Sequence, residues 1–359
     1  MKKMNLVLFI SVIAISIFGI IMVTSSSYIW AEYRFDDPYK FMKSQLLFFL
    51  IGLVIMVAVS KIDYHLYYKY ANKIFIAIFI LLILVLIPGI GTVRNGSRSW
   101  FGIGGLGVQP SEFMKLSLII FISKYMVKNN RNLRSIKKGV LPILGLVLLV
   151  FGIIMLEPDF GTGMIIMMIA MGLFFVGNVN MKFFAALGIL GVIGITVLII
   201  IAPYRLERIM SFINPWSDPL GSGFQIIQSL YAIGPGGLFG YGLGNSRQKH
   251  FYLPEPQTDF IFSIISEEFG FLGCIIVVTL FLFIIITGLK IAKKCSDMFG
   301  KFLSFGITFW IAFQAILNLM VVVGLIPVTG VTLPFLSYGG SSLLILMTSV
   351  GVLLNVSRH

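Results

Sequence analysis

The sequence predicts an all-α polytopic membrane protein with about ten transmembrane helices. Apolar residues make up 58% of the 359-residue chain, charged residues only 11%, and the mean hydropathy is +1.00. A soluble domain carries about 25% charged residues. The apolar residues form long unbroken runs rather than the short alternating segments that are typical of a β-barrel.

Ten apolar runs have about the 20 residues that a helix needs to cross the bilayer. The first run follows Lys2 and Lys3, as in a signal sequence, but it lacks a small-x-small cleavage site and is predicted to be a retained span. The whole chain, 1–359, is predicted to be a single integral membrane domain. The predicted spans are 5–28, 44–60, 72–90, 111–127, 140–156, 159–177, 183–202, 258–288, 302–325 and 337–355.

The distribution of basic residues orients these spans. The loops on the side of the two termini hold 17 of the 27 Lys and Arg residues, and the opposite loops hold 9. Lys and Arg are enriched on the cytoplasmic side of membrane proteins, so both termini are predicted to be cytoplasmic. The large loop 203–257, between spans seven and eight, is then extracytoplasmic.

The same bias accounts for the net charge of +13, so a nucleic-acid partner is not expected. The predicted cytoplasmic loops are short and basic, and the chain has no GxxxxGK[ST] motif, so no nucleotide cofactor is expected either. The sequence shows no internal repeat, which disfavours an inverted-repeat transporter.

Charged residues gather near the predicted outer ends of the spans. An ionisable side chain at membrane depth is energetically costly, so each of these charges indicates a structural or functional role. In "QPSEFMK", Glu112 and Lys115 lie three residues apart on one helix face. Lys115 is either a snorkelling lysine paired with Glu112 or a cation directed at an anionic lipid headgroup. In "LEPDFGTG", Glu157 and Asp159 either stabilise a helix start or form a metal or sugar site.

The segment "NGSRSW" places Arg98 beside Trp100 near the predicted membrane interface. The pair is consistent with an aromatic-belt anchor. Alternatively, the Arg98 guanidinium could bind a phosphate through two parallel hydrogen bonds. The sequence leaves both interpretations open.

The segment "FYLPEPQTDFIF" places Glu255 and Asp259 directly before the eighth span. Thr258 is predicted to cap this helix and Asp259 to lie in its first turn. Asp259, Ser263 and Glu267 are spaced four residues apart and share one helix face. We therefore expect a polar stripe that lines a cavity descending into the bundle.

The eighth predicted span, 258–288, is longer than one crossing requires, and it is expected to bend at Gly270 or Gly273. In the ninth span, Gln314 and Asn318 lie one turn apart. Polar side chains at such positions are predicted to join neighbouring helices by hydrogen bonds.

Four segments together resemble the SEDS family (shape, elongation, division, sporulation) of RodA, FtsW and SpoVE-type bacterial proteins. The resemblance extends over residues 5 to 355, and "SRQK" before "YLPEPQTDFIF" looks closest to the division and sporulation branch. The segments are "NGSRSWFGIGGLGVQPSEFMK", "LEPDFGTG", "FYLPEPQTDFIFSIISEEFGFLG" and "PVTGVTLPFLSYGGSS".

The resemblance implies a peptidoglycan glycosyltransferase, and a single base without a covalent nucleophile predicts that it inverts the configuration at C1. Such an enzyme polymerises lipid II at the outer face of the cytoplasmic membrane, releases polyprenyl pyrophosphate, and works with a single-span class B penicillin-binding protein. Asp259 corresponds to the family's proposed catalytic residue and is expected to act as a general base. The other expected substrate-binding residues are Lys115, Arg98, Glu112, Asp159, Glu255 and Thr258.

A divalent cation, Mg²⁺ or Mn²⁺, is a further expectation, with Glu255 and Asp159 as its ligands. Two rival functions use the same charges without this chemistry. A lipid II flippase needs polar residues through the whole bundle, whereas here they gather at one half. A scaffold that only recruits a transpeptidase would not need Asp259 and Lys115 at membrane depth.

Overall fold

A computed structural model of the chain describes residues 5–94, 96–103, 106–201, 212–221 and 223–359. Ten long helices run through these ranges, and one short helix, α8, lies in the loop after α7. The start of that loop, residues 202–211, lies outside the described residues. The helices are α1 Leu6–Phe35, α2 Lys40–Val59, α3 His65–Leu84, α4 Pro110–Lys128, α5 Leu141–Leu156, α6 Phe160–Val176, α7 Met181–Ile201, α8 Phe224–Ile233, α9 Ile261–Lys294, α10 Met298–Val322 and α11 Gly340–Val356.

Several helices have the length and apolar composition of membrane spans. Among the residues that the structure describes, six helical stretches meet both criteria, and three shorter helices are also apolar. The mostly helical, apolar architecture confirms a polytopic membrane protein. The count of ten spans stays a prediction. The six stretches are α1, α2, α3, Ile136–Leu156, α9 and α10.

Several helix bounds differ from the predicted spans. The third predicted span is 72–90, but α3 ends at Leu84 and the chain turns into a sheet soon afterwards. The first predicted span ends at residue 28, but α1 continues to Phe35 and ends where Asp36 adopts a left-handed conformation, with φ 55°. Hydropathy locates the apolar stretch, whereas hydrogen bonding and capping set where a helix begins and ends.

A small antiparallel sheet departs from the all-α prediction. Its strands are β1 Thr92–Arg94, β2 Ser97–Ile103 and β3 Leu106–Val108, with β2 in the centre. Ser341 Oγ donates a hydrogen bond to the carbonyl of Gly107 at 2.9 Å. Ser97 Oγ donates one to the carbonyl of Glu157. The sheet is therefore tied to the start of α11 and to the α5–α6 turn.

The helices bury a continuous apolar core. Helix α9 packs against α1 and α10, α2 packs against α11, and α3 packs against α4. Helix α10 also contacts α4 and α6, with Trp310 fully buried. Helices α4, α6, α9 and α11 all begin at one end of this bundle, which is called the site end.

Helix α9 is broken at Gly270, which confirms the predicted bend. Gly270 has φ 62° and ψ −156°, a conformation that glycine adopts without a Cβ penalty. The break frees backbone groups that a membrane cannot hydrogen-bond. The loop 237–242 satisfies them through four hydrogen bonds: Phe271 N–H to Gly237 O at 2.9 Å, Leu272 N–H to Leu238 O at 3.1 Å, Tyr241 N–H to Glu267 O at 2.9 Å and Gly242 N–H to Glu268 O at 2.9 Å.

Candidate active site

Gln109, the residue before α4, joins three helix starts at the site end. Its amide Nε2 donates to Asp159 Oδ2 at 3.1 Å, and its backbone N–H donates to Ser341 Oγ at 3.2 Å. Asp159 also accepts the Thr162 N–H at 3.0 Å and is thereby the N-cap of α6. The first turns of α4, α6 and α11 thus converge. Helix N-termini carry partial positive charge, so this place favours an anion.

Lys115 is fully buried in the first part of α4 rather than snorkelling to a surface. Its Nζ lies 2.6 Å from Glu112 Oε1, 3.4 Å from Gln314 Oε1 and 5.1 Å from the centre of the Trp310 ring. Glu112 Oε2 is buried and accepts no hydrogen bond within the described residues. The pair therefore retains one acceptor that a ligand could use.

Glu157 lies beside Ser111, which is in the first turn of α4. The sequence left Glu157 as either a helix-start acid or part of a metal or sugar site with Asp159. Glu157 is fully buried, and neither carboxyl oxygen has a hydrogen-bond partner in the described parts of the chain. Burial and the charge of Asp159 raise the pKa of Glu157 to about 8, while the Ser111 hydroxyl opposes this shift. At neutral pH the carboxyl group is therefore largely protonated.

Asp259 precedes α9, which begins at Ile261, so the predicted capping by Thr258 is wrong. Thr258 Oγ1 instead donates to the carbonyl of Glu255 at 2.8 Å and to Asp259 Oδ1 at 3.0 Å. Asn318 Nδ2 donates to the Asp259 carbonyl at 2.7 Å. These bonds hold the segment as a turn and delay the start of the helix.

The Asp259 carboxylate is half-buried and forms no ion pair with any residue that the structure describes. Burial raises the pKa of Asp259 to about 6; the Thr258 hydroxyl lowers it, and the charge of Glu255 raises it further. The group is therefore ionised at neutral pH but close to its protonated form. A pKa near the working pH suits a general base.

Helix α10 connects Asp259 with Lys115. Gln314 contacts Lys115, and Asn318 contacts the Asp259 backbone. The two residues lie four positions apart, about 6 Å along the helix axis. They also hold the segment before α11, through bonds to the carbonyls of residues 332 and 331 at 3.0 and 2.7 Å. The predicted interhelical role is confirmed, and it positions the site.

The predicted polar stripe does not line an open cavity. Ser263 Oγ lies 2.7 Å from Ser229 Oγ on α8. Glu267 is buried and accepts hydrogen bonds from the backbone N–H of Arg247 at 2.8 Å and from Ser246 Oγ. The loop before α9 covers this helix face, because it docks against the break at Gly270. The prediction was therefore wrong below Asp259.

Arg98 lies on β2 opposite Val93. Ser97 and Ser99 share one face of the strand and contact each other at 3.0 Å. Side chains alternate along a strand, so Arg98 and Trp100 lie on the other face, away from the Glu157 contact. The structure brings the strand to the site end but does not join Arg98 to the other predicted site residues.

The predicted metal ligands occupy different parts of the site. Asp159 accepts bonds from α6 and Gln109, whereas Glu255 acts on Asp259. Within the described ranges, no group of three or more His, Cys, Asp or Glu residues has a metal-binding arrangement. The metal site stays a prediction.

Together these features define a polytopic helical membrane protein with a buried polar site where several helices begin. Residues 5–359 match the cell cycle protein family of FtsW, RodA and SpoVE, and the chain belongs to that family. It is 52% identical over 355 residues to stage V sporulation protein E of Bacillus subtilis, covering 99% of this chain and 97% of the relative. It is 41% identical to the probable peptidoglycan glycosyltransferase FtsW of Trichlorobacter lovleyi, covering 99% and 94%.

Solved structures give the same result. A chain of a peptidoglycan synthase complex, described as coordinating polymerization and crosslinking, superposes with a TM-score of 0.81 at 29% identity, covering 100% of this chain and 98% of that one. The rod shape determining protein RodA of Thermus thermophilus superposes with a TM-score of 0.71 at 26% identity, covering 99% and 97%. The resemblance found in the sequence motifs is thereby confirmed.

Proposed function

We propose that this chain is a peptidoglycan glycosyltransferase that polymerises lipid II at the outer face of the cytoplasmic membrane. Relatives named as probable peptidoglycan glycosyltransferases and the similarity to a synthase complex support this function. The observation on this chain that carries the proposal is Asp259, a carboxylate without an ionic partner in the described residues and with a pKa near 6. The proposed topology has ten spans, cytoplasmic termini and an extracytoplasmic site end.

Asp259 acts as the general base. It removes the proton from the 4-hydroxyl of the acceptor sugar while that oxygen attacks C1 of the donor sugar. The bond from C1 to the pyrophosphate oxygen breaks, and polyprenyl pyrophosphate leaves with the bonding electrons. A single displacement without a covalent nucleophile inverts the configuration at C1, as in inverting glycosidases.

The leaving pyrophosphate binds where α4, α6 and α11 begin. Three converging helix N-termini and the Lys115 ammonium supply positive potential, and preorganised charge of this kind stabilises charge that develops in a transition state. Glu157, largely protonated at neutral pH, donates its O–H to a phosphate oxygen. Glu112 holds Lys115. Arg98 lies on the face of β2 away from Glu157, so it is not assigned to this phosphate and stays a predicted substrate-binding residue.

Glu255 and Asp159 lie in different parts of the site, so a divalent cation would be held by either carboxylate together with the substrate rather than by both. They are hard oxygen donors, and Mg²⁺ or Mn²⁺ often needs only one or two carboxylates beside the phosphates of a substrate. When bound, the ion supplies charge neutralisation at the pyrophosphate. Thr258 fixes the Glu255–Asp259 turn that meets the acceptor. The proposed partner is a single-span class B penicillin-binding protein, in line with the synthase complex above.

The proposal is tested with the purified protein, with and without its class B partner, on lipid II in the presence of Mg²⁺ or Mn²⁺. Crosslinking is blocked with a β-lactam, and glycan strands are separated on a gel. We expect Asp259→Asn to lower polymerisation by about 100-fold or more, because general-base catalysis contributes that much. Asp36→Asn, an exposed acid in the α1–α2 turn, is the matched control and should remain active.

Equal ladders from wild type and Asp259→Asn would exclude Asp259 as the base and direct attention to Glu255 and Asp159. A protein that makes no ladder with its partner present, yet moves lipid II between leaflets, would be a flippase. A protein that only binds the transpeptidase would be a scaffold.

A further inference from the structure

We propose that a polar pocket at the end of the bundle opposite the site end binds the phosphate headgroup of an anionic phospholipid. The pocket has a volume of about 350 Å³ and lies where α4 and α6 end. Its lining comes from the turn after α4 and from the turn after α6. The lining residues are Asn130, Arg131, Arg134, Gly177 and Asn178.

The two arginines carry uncompensated charge. Neither the Arg131 nor the Arg134 guanidinium forms a hydrogen bond or ion pair within the parts of the chain that the structure describes. The sequence has no Asp or Glu between Glu112 and Glu157, or from residue 160 to residue 206. The cytoplasmic enrichment of Lys and Arg explains the charge of this loop. It does not explain why two cations and two amides line one concave pocket.

The pocket is held in shape by its own turns. Leu133, between the two arginines, is 1% exposed and anchors the loop in the core. Asn132 N–H donates to Asn129 O at 2.8 Å, and Ser135 N–H donates to Asn132 O at 2.9 Å. On the other side, Val179 is buried. The arginines are therefore presented by an ordered turn, which lowers the entropic cost of binding.

The surroundings favour a lipid over a soluble phosphate. The side chains of Phe175 and Met181 are 59% and 63% exposed beside one turn, and Leu141 is 55% exposed beyond the other. In a membrane these apolar side chains meet acyl chains. A phospholipid can place its chains against them and its phosphate against the guanidinium groups, which bind phosphate oxygens in pairs. Basic pockets at this membrane surface commonly bind anionic headgroups.

The test titrates the detergent-purified full chain with dioctanoyl phosphatidylglycerol and measures binding by thermophoresis. We expect the Arg131→Ala/Arg134→Ala protein to bind at least tenfold more weakly than wild type. The matched control is Lys137→Ala/Lys138→Ala, which removes the same charge from exposed positions of the same loop outside the pocket. It should lose less than threefold. Dioctanoyl phosphatidylcholine should bind at least tenfold more weakly than phosphatidylglycerol.

Equal losses in the two double variants would show that only general surface charge acts. No loss in either variant would show that neither basic pair contributes to binding. Either result would overturn the proposal. Inorganic phosphate that competes at the same concentration as the lipid would indicate a soluble anion site instead. Monodisperse elution and an unchanged Tm in phosphatidylcholine micelles verify folding. If the alanine protein fails this check, Arg131→Gln/Arg134→Gln replaces it under the same criteria.

Discussion

The described part of the chain has two buried lysine–glutamate pairs, and they differ in how completely they are hydrogen-bonded. Lys249 Nζ lies 3.1 Å from Glu268 Oε1 and 3.3 Å from Ser25 Oγ, and it also donates to the Gly244 carbonyl. Glu268 further accepts bonds from Ser25 Oγ at 2.7 Å and from the Ser246 N–H at 3.4 Å. Ser25 Oγ also lies 2.8 Å from Glu268 Oε2, so every polar side-chain atom of this pair has a partner. The pair therefore fixes the loop before α9 to α1 and α9.

The Lys115–Glu112 pair is incomplete by comparison. Glu112 Oε2 has no partner in the described chain, and the nearby Glu157 carboxyl has none either. A buried unsatisfied polar group costs about 1–3 kcal/mol. The difference teaches that complete bonding marks a structural pair, whereas unused capacity at membrane depth marks a place for a ligand.

The largest expected effect is the difference in polymerisation activity between variants that remove one pair or the other. Lys115→Met/Glu112→Gln should lower lipid II polymerisation about 100-fold, the effect of removing a group that stabilises transition-state charge. Lys249→Met/Glu268→Gln should stay within about threefold of wild type in the same gel assay. Both partners are changed together because removing one alone leaves a buried charge that costs about 3–5 kcal/mol.

The melting temperature of each double variant controls for folding. The comparison would break if both variants, folded, lost activity to the same degree. It would also break if the Lys115 variant polymerised as well as wild type.

A smaller effect is expected from lowering the pH in the polymerisation assay. Asp259 has no cationic partner among the described residues that would keep its pKa low. Its pKa is raised from 3.8 to about 6, so the base is ionised above pH 6 and becomes protonated as the pH falls through that value. Polymerisation at pH 5 should be about tenfold slower than on the plateau at pH 7. Initial rates measured between pH 5 and pH 7 give the acid side of the pH–rate profile.

The pH–rate profile of the Glu157→Gln variant shows whether the fall in rate at low pH reflects protonation of Asp259. That fall should persist in this variant. A rate that does not change between pH 7 and pH 5 would contradict the assignment of Asp259 as the base.

The smallest expected effect concerns stability. The pKa of Glu157 is raised from 4.5 to about 8, so the folded state holds its proton more tightly than the unfolded state. This contribution to stability is fully present below pH 4.5 and is lost as the pH rises through about 8. The Tm of wild type should therefore fall by a few degrees more between pH 5 and pH 9 than that of Glu157→Gln.

Parallel Tm curves for the two proteins would show that the Glu157 carboxyl is better solvated than its burial indicates. They would also remove it as a proton donor to the pyrophosphate.

Features that depend on a local signal could be predicted from the sequence. Asp259 stood out because an acid at membrane depth is costly, and Gly270 stood out because the apolar segment around it exceeds one crossing. The small sheet had a signal that was overlooked: Ser97 and Ser99 alternate with Arg98 and Trp100, as strand residues do.

Contacts between distant parts of the chain could not be predicted. Ser25 and Glu268 are 243 residues apart, and no periodicity joins them. The sequence left Glu157 as either a helix-start acid or part of a metal or sugar site, because it does not show that both of its oxygens are buried. The helices are apolar on nearly every side, so hydropathy does not show which face meets another helix and which meets lipid.

The main-chain hydrogen bonds between loop 237–242 and the break in α9 also limit how far the sequence of this loop can diverge. These bonds use main-chain atoms, which every residue provides, so most side chains of the loop are free to change. The exceptions are glycine positions. A Cβ on Gly240 would lie 2.3 Å from the Glu268 carbonyl, and a Cβ on Gly270 would lie 2.5 Å from the Gly240 nitrogen. Gly242 and Gly244 have φ 90° and 85°, a conformation that other residues rarely adopt. A library of random loop variants selected for growth should therefore retain glycine at these four positions and accept wide variation at residues 241 and 243.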